Sequence, residues 1–161
     1  PGSVFSYRFD ADDWRNLGFI DFQELFGAAH AVELFFVFGY FPDPMKILFP
    51  DSTFDDVSQL SHSMMSYWAQ FARTGNPGSG GSDQESQWLP WMTDAPGNFL
   101  VLDTDLDGGI HMEREMLTKD GVRAAFLAED FGSPDEKCQS YRTVLANAGF
   151  DEVEYGSFGC K

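Results

Sequence analysis

Two strand-forming segments stand about ninety residues apart in this chain, and that separation limits its fold more than any other feature. Residues 4–9 alternate aromatic and other side chains, and residues 99–102 read Phe-Leu-Val-Leu. No alternation of strands and helices connects the two segments, and two strands alone do not form a stable sheet. The sequence therefore predicts an α/β protein whose strands complete a larger mixed sheet supplied by polypeptide outside this chain.

The clearest helix is predicted over about residues 54–73, where apolar side chains recur at helical spacing and form one stripe. Thr53 can cap its start, and Gly75 followed by Asn76-Pro77 can end it. The apolar run at residues 34–38 is predicted to be buried in whichever local structure it adopts.

Two helices are predicted to finish the chain. The first covers about residues 119–130, and the second begins after Ser133 as N-cap, with an apolar stripe of Cys138, Tyr141, Leu145 and Ala148. Cys138 and Cys160 are disulfide candidates if the protein meets an oxidising compartment. An unpaired Cys138 on the helix face is the alternative. If the disulfide forms, the protein is expected to be secreted, periplasmic or extracellular.

The charge balance excludes some partners. There are 26 acidic residues against 10 basic ones, a formal net charge of −16, and this field repels nucleic acid and anionic membrane surfaces. No apolar run approaches the length of a membrane span, and residues 1–3 have no features of a signal peptide. The hydrophobic content of 43% indicates core-forming, globular material.

His30 stands out among the three histidines. His62 falls off the apolar stripe of its helix and is predicted to be solvated, and His111 is predicted to lie in a turn. His30 lies in a glycine- and alanine-rich stretch that leaves space around the imidazole, directly before the apolar run. From the residues alone, an ordinary structural histidine at a strand-to-helix junction is the alternative.

Residues 27–39 read Gly-Ala-Ala-His-Ala-Val-Glu-Leu-Phe-Phe-Val-Phe-Gly. This run closely resembles the catalytic-histidine segment of the type-B carboxylesterase and cholinesterase family, Gly-x-x-His-x-x-Glu followed by apolar residues and Val-Phe-Gly. Three further stretches resemble the family in the same order: the strand at residues 5–10, the helix with its Thr-Gly-Asn-Pro stop at residues 66–77, and Trp-Leu-Pro-Trp at residues 88–91. The resemblance covers about residues 4–107 and leaves residues 108–161 as a helical extension.

The resemblance implies that residues 1–161 are the C-terminal segment of one α/β-hydrolase domain rather than an independent full domain. It makes His30 the catalytic base of a serine carboxylesterase. No serine here stands in a Gly-x-Ser-x-Gly elbow, so the nucleophile and the triad acid are expected on an N-terminal portion, which becomes a required partner. Glu33 matches a family glutamate that organises hydrogen bonds near the site, and no cofactor or metal is expected.

Two departures from the family narrow the substrate. Cholinesterases carry an aromatic residue two positions after the histidine and a tryptophan shortly before it, which bind quaternary ammonium. Here these pocket candidates are Val32 and Leu25. The sequence therefore favours a small-molecule carboxylic ester with an apolar group over a choline ester.

Residues 103–108 match the first half of a calcium-binding EF-hand loop, and Ile110 fits its apolar position. Arg114 falls where the bidentate glutamate belongs, so an acidic turn leaving a strand is the preferred interpretation.

Two alternatives to an enzyme stay open. One is a non-catalytic, cholinesterase-like adhesion or interaction protein, because a histidine does not establish that a nucleophile exists. The other is an independent small binding domain.

Overall fold

The computed structural model describes residues 2–82, 85–92, 98–114, 118–145 and 149–161. It divides into two compact units, residues 1–115 and residues 116–161. The first unit contains strand β1 (Tyr7–Phe9), helices α1 (Phe22–Phe26), α2 (Glu33–Val37), α3 (Asp43–Lys46) and α4 (Phe54–Thr74), and strands β2 (Phe99–Leu102) and β3 (His111–Glu113). The second contains helices α5 (Lys119–Ala128), α6 (Pro134–Leu145) and α7 (Glu152–Ser157).

The three strands form one mixed sheet in the order β1-β2-β3. β1 runs parallel to β2 with Tyr7 opposite Leu100, and β3 runs antiparallel to β2 with His111 opposite Val101. The two predicted strands are therefore direct neighbours, although β1 is shorter than the predicted segment 4–9. The placement of His111 in a turn is wrong, because pairing with β2 makes this residue the start of a strand that the sequence did not predict.

Helix α4 supplies one wall of the core, as predicted. The side chains of its buried stripe are Val57, Leu60, Met64 and Tyr67. The helix ends at Gly75, whose φ of 74° is a left-handed conformation that favours glycine. The predicted capping role of Thr53 is wrong, because its hydroxyl accepts no hydrogen bond from the amides at the start of the helix. The hydroxyl instead donates to the carbonyl of Pro50 (3.2 Å).

The prediction that the whole run 34–38 is buried is wrong. Phe36 is only 1% exposed, but Leu34 is 48% exposed and Phe38 is 72% exposed. The run forms helix α2 and its C-cap residue, and helical spacing turns Phe36 toward β1 and Phe49. Leu34 and Phe38 lie on the opposite side of the helix and face outward. No helix among the described residues combines the length and the apolarity needed to cross a membrane.

The second unit has a small core of its own. Its buried side chains are Phe126, Tyr141, Leu145 and Tyr155. Ser133 caps α6 by accepting a hydrogen bond from the Glu136 amide (3.2 Å), as predicted. Ala148, the last residue of the predicted stripe, lies outside the described residues, and α7 is a third helix that the sequence did not predict.

The pairing of the two cysteines, which the sequence left open, is present in the structure. A disulfide joins Cys138 on α6 to Cys160 near the end of the chain, with 5.6 Å between their Cα atoms. Both cysteines pack against the core of the second unit, so the bond fastens the segment after α7 to that core.

Candidate active site

His30 lies exposed in the turn between α1 and α2. The amide of Val32 donates to the carbonyl of Ala29 (3.2 Å) and closes this turn. Ala31 adopts a φ of 71°, and it is the one non-glycine residue in the described part of the chain with a positive φ. Left-handed backbone at an alanine costs about 1 kcal/mol, so surrounding contacts must hold the turn in this shape.

Trp14 supplies one of these contacts from the segment that follows β1. Its indole Nε1–H donates a hydrogen bond to the carbonyl of Gly27 (2.8 Å), three residues before His30. The Trp14 ring is 6% exposed and stacks on Phe49 with 4.7 Å between ring centroids. Gly27 itself has a φ of 49°, which a residue with a side chain adopts rarely.

Arg15 fixes the same segment to the chain that precedes α4. Its backbone amide donates to the carbonyl of Leu48 (2.6 Å), and its guanidinium donates to the carbonyl of Phe49 (2.9 Å). The guanidinium also forms an ion pair with the exposed carboxylate of Asp51 (2.9 Å). Trp14 therefore reaches Gly27 from a backbone that is itself held in place.

Glu33 begins helix α2 and is half-buried. Burial raises the pKa of the Tyr7 hydroxyl on β1, and the negative charge of Glu33 raises that pKa further. Of the two pocket candidates, Leu25 is exposed on α1, whereas Val32 is half-buried and packs against the core.

The other two histidines have different surroundings. His62 is exposed on α4, as predicted, and lines an open groove of about 540 Å³ whose other wall includes Tyr40 and Lys46. His111 lies on β3 with its Nδ1 3.0 Å from the carbonyl oxygen of Gly109. The three histidines thus have different surroundings in the structure. In the sequence, only His30 lies in the run that resembles a catalytic segment.

The acidic run 103–108 connects β2 to β3, which agrees with its interpretation as a turn leaving a strand. Among the described residues, no three side chains of the metal-binding types converge on one point. Burial raises the pKa of Asp103 to about 6, against a weaker opposing hydrogen bond from the Thr104 amide. Burial likewise raises the pKa of Asp13, whose carboxylate accepts a hydrogen bond from the Thr104 hydroxyl (2.6 Å).

Sequence reasoning did not identify Trp14 or Ala31. Trp14 contacts Gly27 across twelve intervening residues, and no sequence periodicity predicts such a contact. The one available signal was a tryptophan within an otherwise polar segment, which indicates a buried anchor. The positive φ of Ala31 had no signal in the sequence, because alanine does not favour the left-handed conformation.

The chain was compared with known proteins. The model of the carboxylesterase family matches residues 1–120. Bile salt-activated lipase from Bos taurus is 35% identical over 82 residues, which are 50% of this chain and 13% of the lipase. Acetylcholinesterase from Electrophorus electricus is 35% identical over 106 residues, 64% of this chain and 15% of that protein. Para-nitrobenzyl esterase from Bacillus subtilis is 38% identical over 79 residues, 49% of this chain and 15% of that enzyme. Each match thus spans only a small part of these curated relatives.

Proposed function

The chain belongs to the carboxylesterase family, and from that premise we propose that it is the C-terminal segment of an α/β-hydrolase that hydrolyses carboxylic esters. His30 is the general base of the reaction. The serine nucleophile and the triad acid lie on an N-terminal portion of the enzyme, either a separate chain or the preceding part of the same one. The strands of this chain complete the larger mixed sheet of that enzyme.

The observation that carries the proposal is the position of His30. Its side chain is exposed on a turn whose backbone is held by Trp14 on one side and by the start of α2 on the other. A general base must stand about 2.6–3.2 Å from the hydroxyl that it deprotonates. An exposed imidazole on a fixed backbone can meet a hydroxyl presented by a second polypeptide.

The proposed chemistry moves one proton in each of two steps. In the first, the imidazole of His30 accepts the serine proton as the serine oxygen attacks the ester carbonyl, and it then returns that proton to the departing alcohol. In the second, it accepts a proton from water, which attacks the acyl-serine, and it returns that proton to the serine as the carboxylic acid leaves. A histidine suits both directions because its unperturbed pKa lies near neutrality.

The surface around His30 supports the presence of an N-terminal portion. Four large apolar side chains in and beside α1 and α2 are exposed: Leu25, Phe26, Leu34 and Phe38. β1 stands at the end of the strand order, so its outer edge has no partner among the described strands. Several large exposed apolar side chains and an unpaired strand edge are each typical of surfaces that further polypeptide covers.

The neighbours of His30 favour esters with an apolar group. Leu25 and Val32 offer aliphatic surface where a quaternary ammonium group would need aromatic rings. In the proposal, Glu33 acts indirectly, by organising hydrogen bonds near the site, and is not the triad acid.

The disulfide bears on where the enzyme works. Cys138–Cys160 forms and persists in an oxidising compartment. We therefore place the enzyme outside the cytosol, as a secreted or periplasmic protein.

The test is hydrolysis of p-nitrophenyl esters by the protein that contains residues 1–161 together with its N-terminal portion. His30→Ala should lower turnover by about 10⁴-fold while the two portions stay associated. His62→Ala is the matched control, because it removes an exposed histidine from the same chain, and turnover should stay within about twofold of the original.

Retained turnover in the His30→Ala variant would contradict the assignment of the base. A protein with no turnover at all, and with no Gly-x-Ser-x-Gly elbow in its N-terminal portion, would point instead to a non-catalytic interaction protein of the same family.

A further inference from the structure

We propose that Trp14 is a positioning residue for His30: its indole N–H, bound to the carbonyl of Gly27, fixes the start of the turn that carries the imidazole. The kinetic part of this inference rests on the proposed esterase function. The structural part does not, because it concerns the placement of His30 in the folded protein.

The direction of the indole N–H is set by packing. Trp14 lies between Phe49, on which it stacks at an interplanar angle of 24°, and Phe26, whose ring it meets edge-on at 6.0 Å. An indole has one N–H and no acceptor, so a ring held on two sides aims its single donor in one direction. In this structure that direction is the carbonyl of Gly27 (2.8 Å).

The anchor and the turn belong to different parts of the first unit. Trp14 is followed by Arg15, whose backbone and guanidinium bind the carbonyls of Leu48 and Phe49. Gly27 follows α1, and its amide already donates to the carbonyl of Gln23 (2.8 Å). The indole therefore connects the His30 turn to a segment that is also bound to residues 48 and 49.

Trp88 provides a matched comparison. It is 6% exposed, like Trp14, and its indole N–H also donates to a backbone carbonyl, that of Ser6 (2.9 Å). That carbonyl precedes β1, so this bond holds the sheet and not the His30 turn. Changing each tryptophan to phenylalanine removes the same kind of bond from two different places.

The kinetic test compares Trp14→Phe with Trp88→Phe in the complete esterase. Displacing a catalytic group by about 1 Å can cost up to about 100-fold in rate, so kcat should fall about tenfold or more for Trp14→Phe. KM should stay within about twofold, because substrate binding does not use the general base. Trp88→Phe should keep kcat within about threefold, and equal losses of kcat in both variants would overturn the proposal.

A second test does not depend on activity. With ¹³C-labelled histidine, the three ring signals can be assigned by His30→Gln and His62→Gln. In Trp14→Phe, the His30 signal should lose about half its intensity or more through exchange between conformations, while those of His62 and His111 stay unchanged. If Trp14→Phe does not fold, Phe49→Leu keeps the donor but removes the ring that orients it, and should give the same change.

An unchanged His30 signal in a folded variant would overturn the positioning role whether or not the protein is an esterase. A changed His30 signal in a protein without turnover would uphold the positioning role and contradict only the proposed function.

Discussion

The two compact units of this chain are held together in different ways. In the first, the sheet joins strands from opposite ends of the unit, and a cluster of aromatic and aliphatic side chains fills the space between the sheet and α4. In the second, three short helices enclose four buried side chains, and a disulfide spans 22 residues. Long-range pairing supports the first unit, whereas local contacts and one covalent bond support the second.

The first unit is also the one that carries the surface features on which the proposed function rests. The first unit has an unpaired sheet edge among its described strands and exposes Phe38 and its neighbours around the proposed base. The family match covers this unit and ends at residue 120, near the start of α5. All four tryptophans, at positions 14, 68, 88 and 91, also lie in the first unit, so tryptophan fluorescence follows that unit alone.

The largest expected effect concerns the core of the first unit. Phe36→Ala should lower its free energy of unfolding by about 3–5 kcal/mol, because the ring is buried among Phe9, Phe41 and Phe49. Urea unfolding followed by tryptophan fluorescence measures this loss. Phe38→Ala, at the exposed C-cap of the same helix, should change it by less than about 0.5 kcal/mol. A similar loss in both variants would mean that α2 is packed on both faces in solution.

The next effect belongs to the second unit. Replacing both cysteines, Cys138→Ser with Cys160→Ser, should lower the free energy of unfolding of this unit by about 3 kcal/mol, since the closed loop no longer restricts the unfolded chain. Amide hydrogen exchange in α6 should become correspondingly faster. The tryptophan-detected transition should not move. A shift in that transition would show that the two units unfold together, and it would contradict the view that they are stabilised separately.

A smaller effect distinguishes the units by pH. Burial raises the pKa of Asp103 to about 6 in the folded protein, so the folded state binds a proton that the unfolded state releases near pH 4. The first unit should therefore gain stability as the pH falls from 7 toward 4. Asp103→Asn mimics the protonated form and should add about 2 kcal/mol at pH 7 but little at pH 4. Asp105→Asn, at an exposed position in the same turn, should leave the tryptophan-detected profile unchanged.

The second unit should respond in the opposite direction, with the smallest effect of the four. The Tyr141 hydroxyl and then the Arg123 guanidinium hold the pKa of Glu154 below its usual value. This contribution is present above the unfolded pKa and is lost as the pH falls through the folded one. Glu154→Gln should speed amide exchange in α6 at pH 7 and remove its acid dependence, whereas the exposed Glu152→Gln should do neither. Unchanged exchange in Glu154→Gln would show that this network does not stabilise the unit.

Patterns that depend on local chemistry located one helix and one strand closely. The apolar stripe and the glycine stop located α4 to within a residue, and the run at residues 99–102 coincides with β2. β3 could not be predicted, because His111, Met112 and Glu113 have no strand pattern and become a strand only by pairing with β2. α7 was missed because six residues that include Gly156 carry little helical signal without the packing of Tyr155.

The residues of the candidate site also differ in whether the sequence could predict them. His30 could be proposed from the sequence because the catalytic segment of the family that it resembles has a fixed local spacing of residue types. Trp14 could not, since its role depends on where two distant parts of the chain meet. The exposure of Phe38 was also unpredictable, because the run at residues 34–38 does not show whether a helix or a strand will form, and only a helix turns these rings to opposite sides.

The parallel pairing of β1 with β2 has a consequence for synthesis of the protein. Tyr7 pairs with Leu100, so β1 leaves the ribosome about ninety residues before its partner exists. At about 5–20 residues per second, this strand waits about 5–20 seconds before its backbone can pair with β2. During that interval the unpaired strand edge of the nascent chain can bind a chaperone or a neighbouring chain. The helices after residue 118 have no such delay, because each of their contacts forms within a few seconds of translation.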